Sequence, residues 1–218
     1  MFRPRVLAGG AVLLLLTITA WRLIESSSSP EIPFETKNKP PPPAPLCPWR
    51  DPDADLKLFF PEATRCELET RVLSGLRLEL ARRLGRTPTG DENALRVHRI
   101  YRDHDPIGSI LTRRVKGAFG AIELVLAVNA DGQTRGLRLQ RLREPESVAG
   151  TLQNPDWLHS FTGKRADSPF KLGLDIPDVT GESRGSAEAI AEGVRSLLIL
   201  LAASDQSGLQ SRGVPSHH

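Results

Sequence analysis

Apolar residues recur along this chain with two periods. Ile190, Val194, Leu197, Leu198 and Leu201 follow helical spacing, with Glu188, Glu192 and Arg195 opposite, which predicts a helix from about Ser186 to Ala203. Leu68, Val72, Leu76 and Leu80 recur every fourth residue beside Leu73 and Leu84, and this predicts an amphipathic helix over Leu68 to Leu84, stopped by Gly85 and Pro88. Its Arg77, Arg82 and Arg83 fall towards the end where positive charge suits the helix dipole. Leu95 to Tyr101 and Ile107 to Arg113 read as strands across an Asp103-His104-Asp105-Pro106 turn. Ile122 to Val128 is the most apolar strand, and Asn129 to Gly132 is a hairpin turn into Thr134 to Leu142. Arg135, Arg138 and Arg141 predict that one face of that last strand is wet. From Glu144 to Lys171 there is no long periodic run, and Trp157, Phe161 and Phe170 are its expected anchors. The expected class is α+β: a twisted, mainly antiparallel sheet with packed helices.

The start of the chain follows another pattern. Arg3 and Arg5 precede an apolar run from Val6 to Ile24, with Trp21 near its far end, the profile of a single transmembrane signal-anchor over residues 1–25. Cleavage after Ala20 is the rival, but Ile18 makes a poor small-x-small site. The positive-inside rule then places the remainder in the periplasm, outside the inner membrane. Residues 26–46 hold four serines and four consecutive prolines, Pro40 to Pro43, and read as a semi-rigid spacer. The folded domain is expected over 47–204 and a disordered tail over 205–218.

Composition narrows the functional classes. Lys and Arg number 29 against 26 Asp and Glu, scattered rather than gathered in a stripe, so no nucleic-acid footprint is expected; at 5% aromatics a base-stacking platform is not expected either. Asp103, His104 and Asp105 are adjacent on a turn before a proline and read as solvated residues rather than a metal cluster. No nucleophile elbow is present, and Asp51 and Asp53 read as a solvated, loop-like pair, so hydrolysis finds little support. In an oxidising compartment Cys47 and Cys66 are free to pair, and a bridge would add about 3 kcal/mol in the chain-entropy model; the alternative is two unpaired thiols.

Chemistry concentrates ahead of the last helix. Thr180, Gly181, Glu182, Ser183, Arg184, Gly185 and Ser186 form a run of hydroxyls and small residues whose main-chain N–H groups, with the helix dipole, suit a phosphate. The competing reading makes Ser186 an ordinary N-cap and Gly185 the source of turn freedom. Several short motifs in order bear on that choice: Lys116-Gly117-Ala118-Phe119-Gly120-Ala121-Ile122-Glu123, the Asp131-Gly132 hairpin, Arg143-Glu144-Pro145, Phe161-Thr162-Gly163-Lys164 and the Leu172 to Ser186 segment. Together they resemble the FMN-binding domain family, which includes the periplasmic flavoprotein subunits of the sodium-pumping NADH:quinone oxidoreductase and of the Rnf complex. The resemblance covers Lys116 to Leu201, with Leu58 to Ala63 as an earlier piece.

The resemblance implies a flavin relay held by Lys116, Gly117, Thr180, Gly181, Glu182, Ser183 and Ser186, with a membrane redox complex or a periplasmic electron carrier as partner. It also implies FMN as cofactor, esterified in the family to a hydroxyl by a flavin transferase; Ser183 takes that position here. The chain departs from the pattern at Pro177, where the family has Asp, and at Glu182, where it has Ala. A carboxylate a few ångströms from a phosphate costs on the order of 1 kcal/mol, and proline deletes an N–H donor. Covalent FMN, non-covalent FMN and a flavin-free relic serving as a scaffold or assembly subunit of a membrane redox complex therefore all stay open.

Overall fold

The computed structural model describes residues 47–212, with side chains described as far as Ser207. The signal-anchor and spacer expected over residues 1–46 lie outside the described residues. Among the described residues no helix is long and apolar enough to cross a membrane.

Five strands form one antiparallel sheet in the order of the chain: β1 (Arg65–Val72), β2 (Ala94–Arg102), β3 (Asp105–Lys116), β4 (Ala121–Asn129) and β5 (Thr134–Leu142). Helix α1 (Pro52–Phe59) precedes the sheet, α2 (Arg77–Leu84) lies between β1 and β2, and α3 (Glu146–Leu152), α4 (Pro155–His159) and the 30-residue α5 (Ser183–Arg212) follow it. On one face Leu111, Leu124, Leu126, Leu137 and Leu139 share a core with Ile190, Val194, Leu197 and Leu201 of α5. Gly193 allows the close approach of that helix, since a Cβ there would lie 2.6 Å from Val115 Cγ1 of β3.

The opposite face is covered too, by the segment leading into β1. Trp49, Leu56, Phe59, Phe60 and Ala63 pack over Ile100, Ile110, Val125 and Ala127. Burial on both sides explains why β4 is apolar without alternation. Its exception, Glu123, is 1% exposed and bonds to Arg50 (Nε to Oε2, 2.7 Å) and Arg114 (2.8 Å).

That second layer corrects three expectations. The arginine face of β5 is covered at Arg135 and Arg138 and wet only at Arg141: Arg138 pairs with the fully buried Asp55, Arg135 pairs with Glu62, and the Arg135 guanidinium sits 4.6 Å from the Phe60 ring centroid. Asp51 and Asp53 are not in a loop-like stretch, for Asp51 caps α1 by accepting from Ala54 N and Asp53 lies in its first turn. Cys47 and Cys66 are both free. The Cys47 carbonyl accepts from Thr112 of β3 and its sulfur from Gln140 of β5, whereas Cys66 sits on β1. Two strand spacings, about 10 Å, separate β1 from β3, beyond the reach of a disulfide.

The helix expected over Leu68 to Leu84 forms only in its second half. Arg65–Val72 is the edge strand β1, with Leu68 and Val72 at 53% and 75% exposure, and the α-helix begins at Arg77. A repeat of four fits both structures, because alternation also returns even-numbered residues to one face; the intervening Glu67, Glu69 and Arg71 carry the strand signal. At the other end α5 runs on to Arg212, so residues 205–212 are helix rather than the start of a tail. Asp205 is held by Arg71 Nη1 and Arg99 Nη2, each at 2.6 Å, which fastens the far part of α5 to β1 and β2. The segment after Glu144 condenses into α3 and α4 with Trp157, Phe161 and Phe170 buried, the first two in an edge-to-face contact.

Candidate functional site

The first turn of α5 is the junction. Gly181 adopts a left-handed backbone (φ 65°), Glu182 is exposed, and Ser183 is the first helical residue. Helix therefore starts one turn earlier than the spacing of apolar residues predicts. Thr180 and Gly181 are exposed, Ser183 is 6% exposed and Ser186 is fully buried. Helical geometry returns residues three apart to the same side, which places both serines on the inner face.

Ser186 reaches across the fold. Its Oγ accepts from the main-chain N of Ala118 at 2.8 Å, joining the first turn of α5 to the β3–β4 turn 68 residues earlier. Gly117 is buried beneath this contact: a Cβ there would collide with Glu144 Oε1 and lie 2.8 Å from Ile122 Cδ1 and 2.9 Å from Ser186 Oγ. Glu144 accepts from Phe119 N (3.3 Å) and Gly120 N (3.4 Å). Three successive amides of the turn are thus taken by one hydroxyl and one carboxylate. Of the residues expected to act together, Gly117 and Ser186 are in contact; Lys116 is exposed at the end of β3 and makes no hydrogen bond to the serine turn among the described residues. Glu144 is not among the residues expected at the site, and the only signal for it is its place in the Arg-Glu-Pro segment.

The approach to α5 is held by a second knot. Asp175 accepts from Phe170 N (3.1 Å), Lys171 N (2.7 Å) and Lys164 Nζ (3.0 Å), while Lys164 also donates to the Asp175 carbonyl at 2.6 Å. Burial works against its charge, but the Lys171 N–H, the Lys164 ammonium and the Phe170 N–H outweigh it and hold the Asp175 carboxyl below its ordinary value. Trp157 Nε1 donates to the Pro177 carbonyl at 3.1 Å, and Arg184 contacts both Asp178 oxygens at 2.9 Å and Glu188 at 3.1 Å. Arg184 thereby spends its charge on Asp178 and Glu188 rather than on Glu182. Among the described residues no group of three or more His, Cys, Asp or Glu side chains is placed to hold a metal ion.

No family model and no curated protein matches the chain. Among solved structures it is similar to one subunit of the Na(+)-translocating NADH-quinone reductase of Parabacteroides distasonis, at 16% sequence identity and a TM-score of 0.39, over 75% of this chain and 85% of that one. A likeness of that degree stops short of function.

Proposed function

We propose that this chain is a membrane-anchored periplasmic FMN-binding-domain protein that passes electrons through a flavin held at the first turn of α5, serving a membrane redox complex or a periplasmic electron carrier. One observation supports this above the others: the two motif regions named from sequence meet, Ala118 N to Ser186 Oγ, at 2.8 Å. A phosphate at the helix N-terminus is compatible with Gly181, where even a Cβ would meet nothing within 4 Å, and with Glu182, which is exposed to water. Thr180, Ser183 and the main-chain N–H groups of the first turn are the groups that would hold the phosphate, with exposed Lys116 as the nearest expected cation in sequence to Gly117. When bound, the isoalloxazine supplies the redox chemistry, and the chain binds and orients it.

Attachment is read as non-covalent. An acceptor hydroxyl must be open to a flavin transferase, and Ser183 is 6% exposed. A second reading, a flavin-free scaffold or assembly subunit of a membrane redox complex, draws on the amides of Ala118, Phe119 and Gly120, which Ser186 and Glu144 already occupy. The deciding experiment co-expresses the full chain with a flavin transferase and records the visible spectrum and intact mass, alongside Ser183→Ala. Flavin absorbance in both proteins, released on denaturation, is the expected result. Colourless protein would replace the relay with the scaffold, and an FMN-sized addition lost in Ser183→Ala would show an ester at Ser183.

A further inference from the structure

We infer that β1 is the contact through which a second copy of this chain joins the sheet, the two β1 strands pairing antiparallel about a two-fold axis at Thr70. β1 is an edge of the sheet, and β5 is the other. At β5 the main chain of Thr134 is already engaged outside the ladder, its N–H by the Lys164 carbonyl at 2.8 Å and its carbonyl by the Gly163 N–H at 2.7 Å. At β1, Leu73 N donates to the Asn93 carbonyl at 2.7 Å, and the alternation of an antiparallel ladder then turns the odd-numbered residues of the strand towards β2. The main-chain N–H and C=O groups of Leu68, Thr70 and Val72 therefore point outward, and among the described residues none of them has a hydrogen-bond partner. No proline, glycine or lysine interrupts Arg65–Val72, and its ladder with β2 keeps one register throughout, so the usual devices that blunt an edge are missing.

The side chains along that row are complementary to a copy of themselves. Leu68 and Val72 share the sheet face that the N-terminal layer covers elsewhere, but at this end the layer reaches only the edge-to-face contact of Trp49 with His98, the ladder partner of Leu68. Leu68, Val72 and the neighbouring Ala94 are left exposed. Pairing about Thr70 sets Leu68 of each copy opposite Val72 of the other and Thr70 opposite Thr70; on the other face it sets Glu69 opposite Arg71. Apolar groups meet apolar groups, and each charge meets its opposite. Moving the axis by one residue loses this, because it brings Glu69 against Glu69 or Arg71 against Arg71, and like charges directly opposite one another are destabilising.

The test is crosslinking of the full chain. In this register the two Thr70 Cα atoms lie about 5.5 Å apart, within reach of a disulfide, whereas the two native Cys66 residues are separated by about 27 Å along the strands. With oxidised glutathione as the electron acceptor, Thr70→Cys in a Cys66→Ser background is expected to form a reducible dimer about tenfold faster than the native chain. Adding Leu68→Lys, which sets an ammonium against Val72 of the other copy, is expected to slow that dimer about tenfold. Crosslinking of native Cys66 at an equal or greater rate overturns the pairing, and so does a rate that Leu68→Lys leaves unchanged. Thr70 and Leu68 are exposed, so both substitutions are expected to leave the single copy folded. Should Thr70→Cys fail to fold, amide hydrogen exchange in the native chain decides instead: slowing at Leu68, Thr70 and Val72 as protein concentration rises supports the dimer, and rates independent of concentration overturn it. None of these outcomes depends on flavin binding.

Discussion

Acidification is expected to unfold this domain between about pH 4.5 and pH 2, with the loss concentrated in two buried carboxylates. Glu92 is 1% exposed and accepts from Arg86 on both oxygens at 2.8 Å, from Arg113 at 2.7 Å and from the main-chain N of Thr89 at 2.8 Å. Burial alone would raise its pKa, but Arg86, the Thr89 N–H and Arg113 prevail and hold it at about 2 against an ordinary 4.5. Glu123 is likewise held at about 2, first by its bonds to Arg50, against the cost of burial, and then by Arg114. Both folded values lie below the unfolded ones. Their contribution is therefore complete above pH 4.5 and is lost as pH falls towards 2. For Glu92 the linkage amounts to about 3 kcal/mol at most, reduced by the water that reaches its partner Arg86, 35% exposed. Glu123 adds less, because Arg50 and Arg114 are 39% and 45% exposed and water screens their charge. Against a total of roughly 5–15 kcal/mol for a domain, that is enough to tip the balance. Urea melts at steps of pH, followed by far-ultraviolet circular dichroism, measure it; stability that stays flat from pH 4.5 to 2.5 would refute the assignment. Glu92→Ala at neutral pH should cost about 3 kcal/mol by leaving Arg113, 14% exposed, without its partner.

Those carboxylates also mark where the sequence is legible and where it is not. The hairpins of β2 to β5 and the last helix can be read because their signals are local: short apolar runs bounded by turn residues, unbroken in β4, and Ile190, Val194, Leu197 and Leu201 on one face of α5. β1 passes for helix because a four-residue repeat satisfies both periods, and an edge strand carries no burial on its outer side to break the tie. The stretch around Asp51 and Asp53, in the covering segment, passes for a loop for a different reason. Its acids look like surface residues until Asp55 meets Arg138, 83 positions later, and Trp49 donates to the same carboxylate at 2.6 Å. Such matches are made by topology and leave no local period. At the candidate site the motifs locate both turns, and the contact between Gly117 and Ser186 joins them. What no motif contains is the fate of the amides at 118 to 120, because that depends on where Glu144 comes to rest after β5.

Gly108→Ala is expected to destabilise the domain by about 3 kcal/mol, near the top of the range for overpacking, and to do so by lifting the N-terminal layer from the sheet. Gly108 of β3 has no room for a methyl group: a Cβ would lie 2.5 Å from Phe60 Cζ and 2.5 Å from the Val128 carbonyl oxygen. The ring could tilt, but the carbonyl belongs to the neighbouring strand β4, next to its pairing with Ser109, and cannot withdraw without breaking the ladder. Phe60 has little freedom either, being 1% exposed beneath Ile100 and Ile110. A glycine inside a strand marks such an approach. Gly136 of β5 does the same for Phe59, whose Cε1 lies 2.5 Å from the would-be Cβ; with no backbone atom in the way and Phe59 at 8% exposure, Gly136→Ala should cost less, about 1–2 kcal/mol. Gly90, with nothing within 4 Å, is the control and should change stability by under about 0.5 kcal/mol on substitution by alanine. Denaturant midpoints of the three variants give the order directly. Fluorescence adds location: Trp49 rides on the covering layer while Trp157 is in the opposite core, so with Trp21 and Trp157 both replaced by Phe, Gly108→Ala should shift Trp49 emission to the red before global unfolding. Equal costs at Gly108 and Gly90 would mean that the covering layer does not press on β3, and with it would go the explanation for the unbroken apolar run of β4.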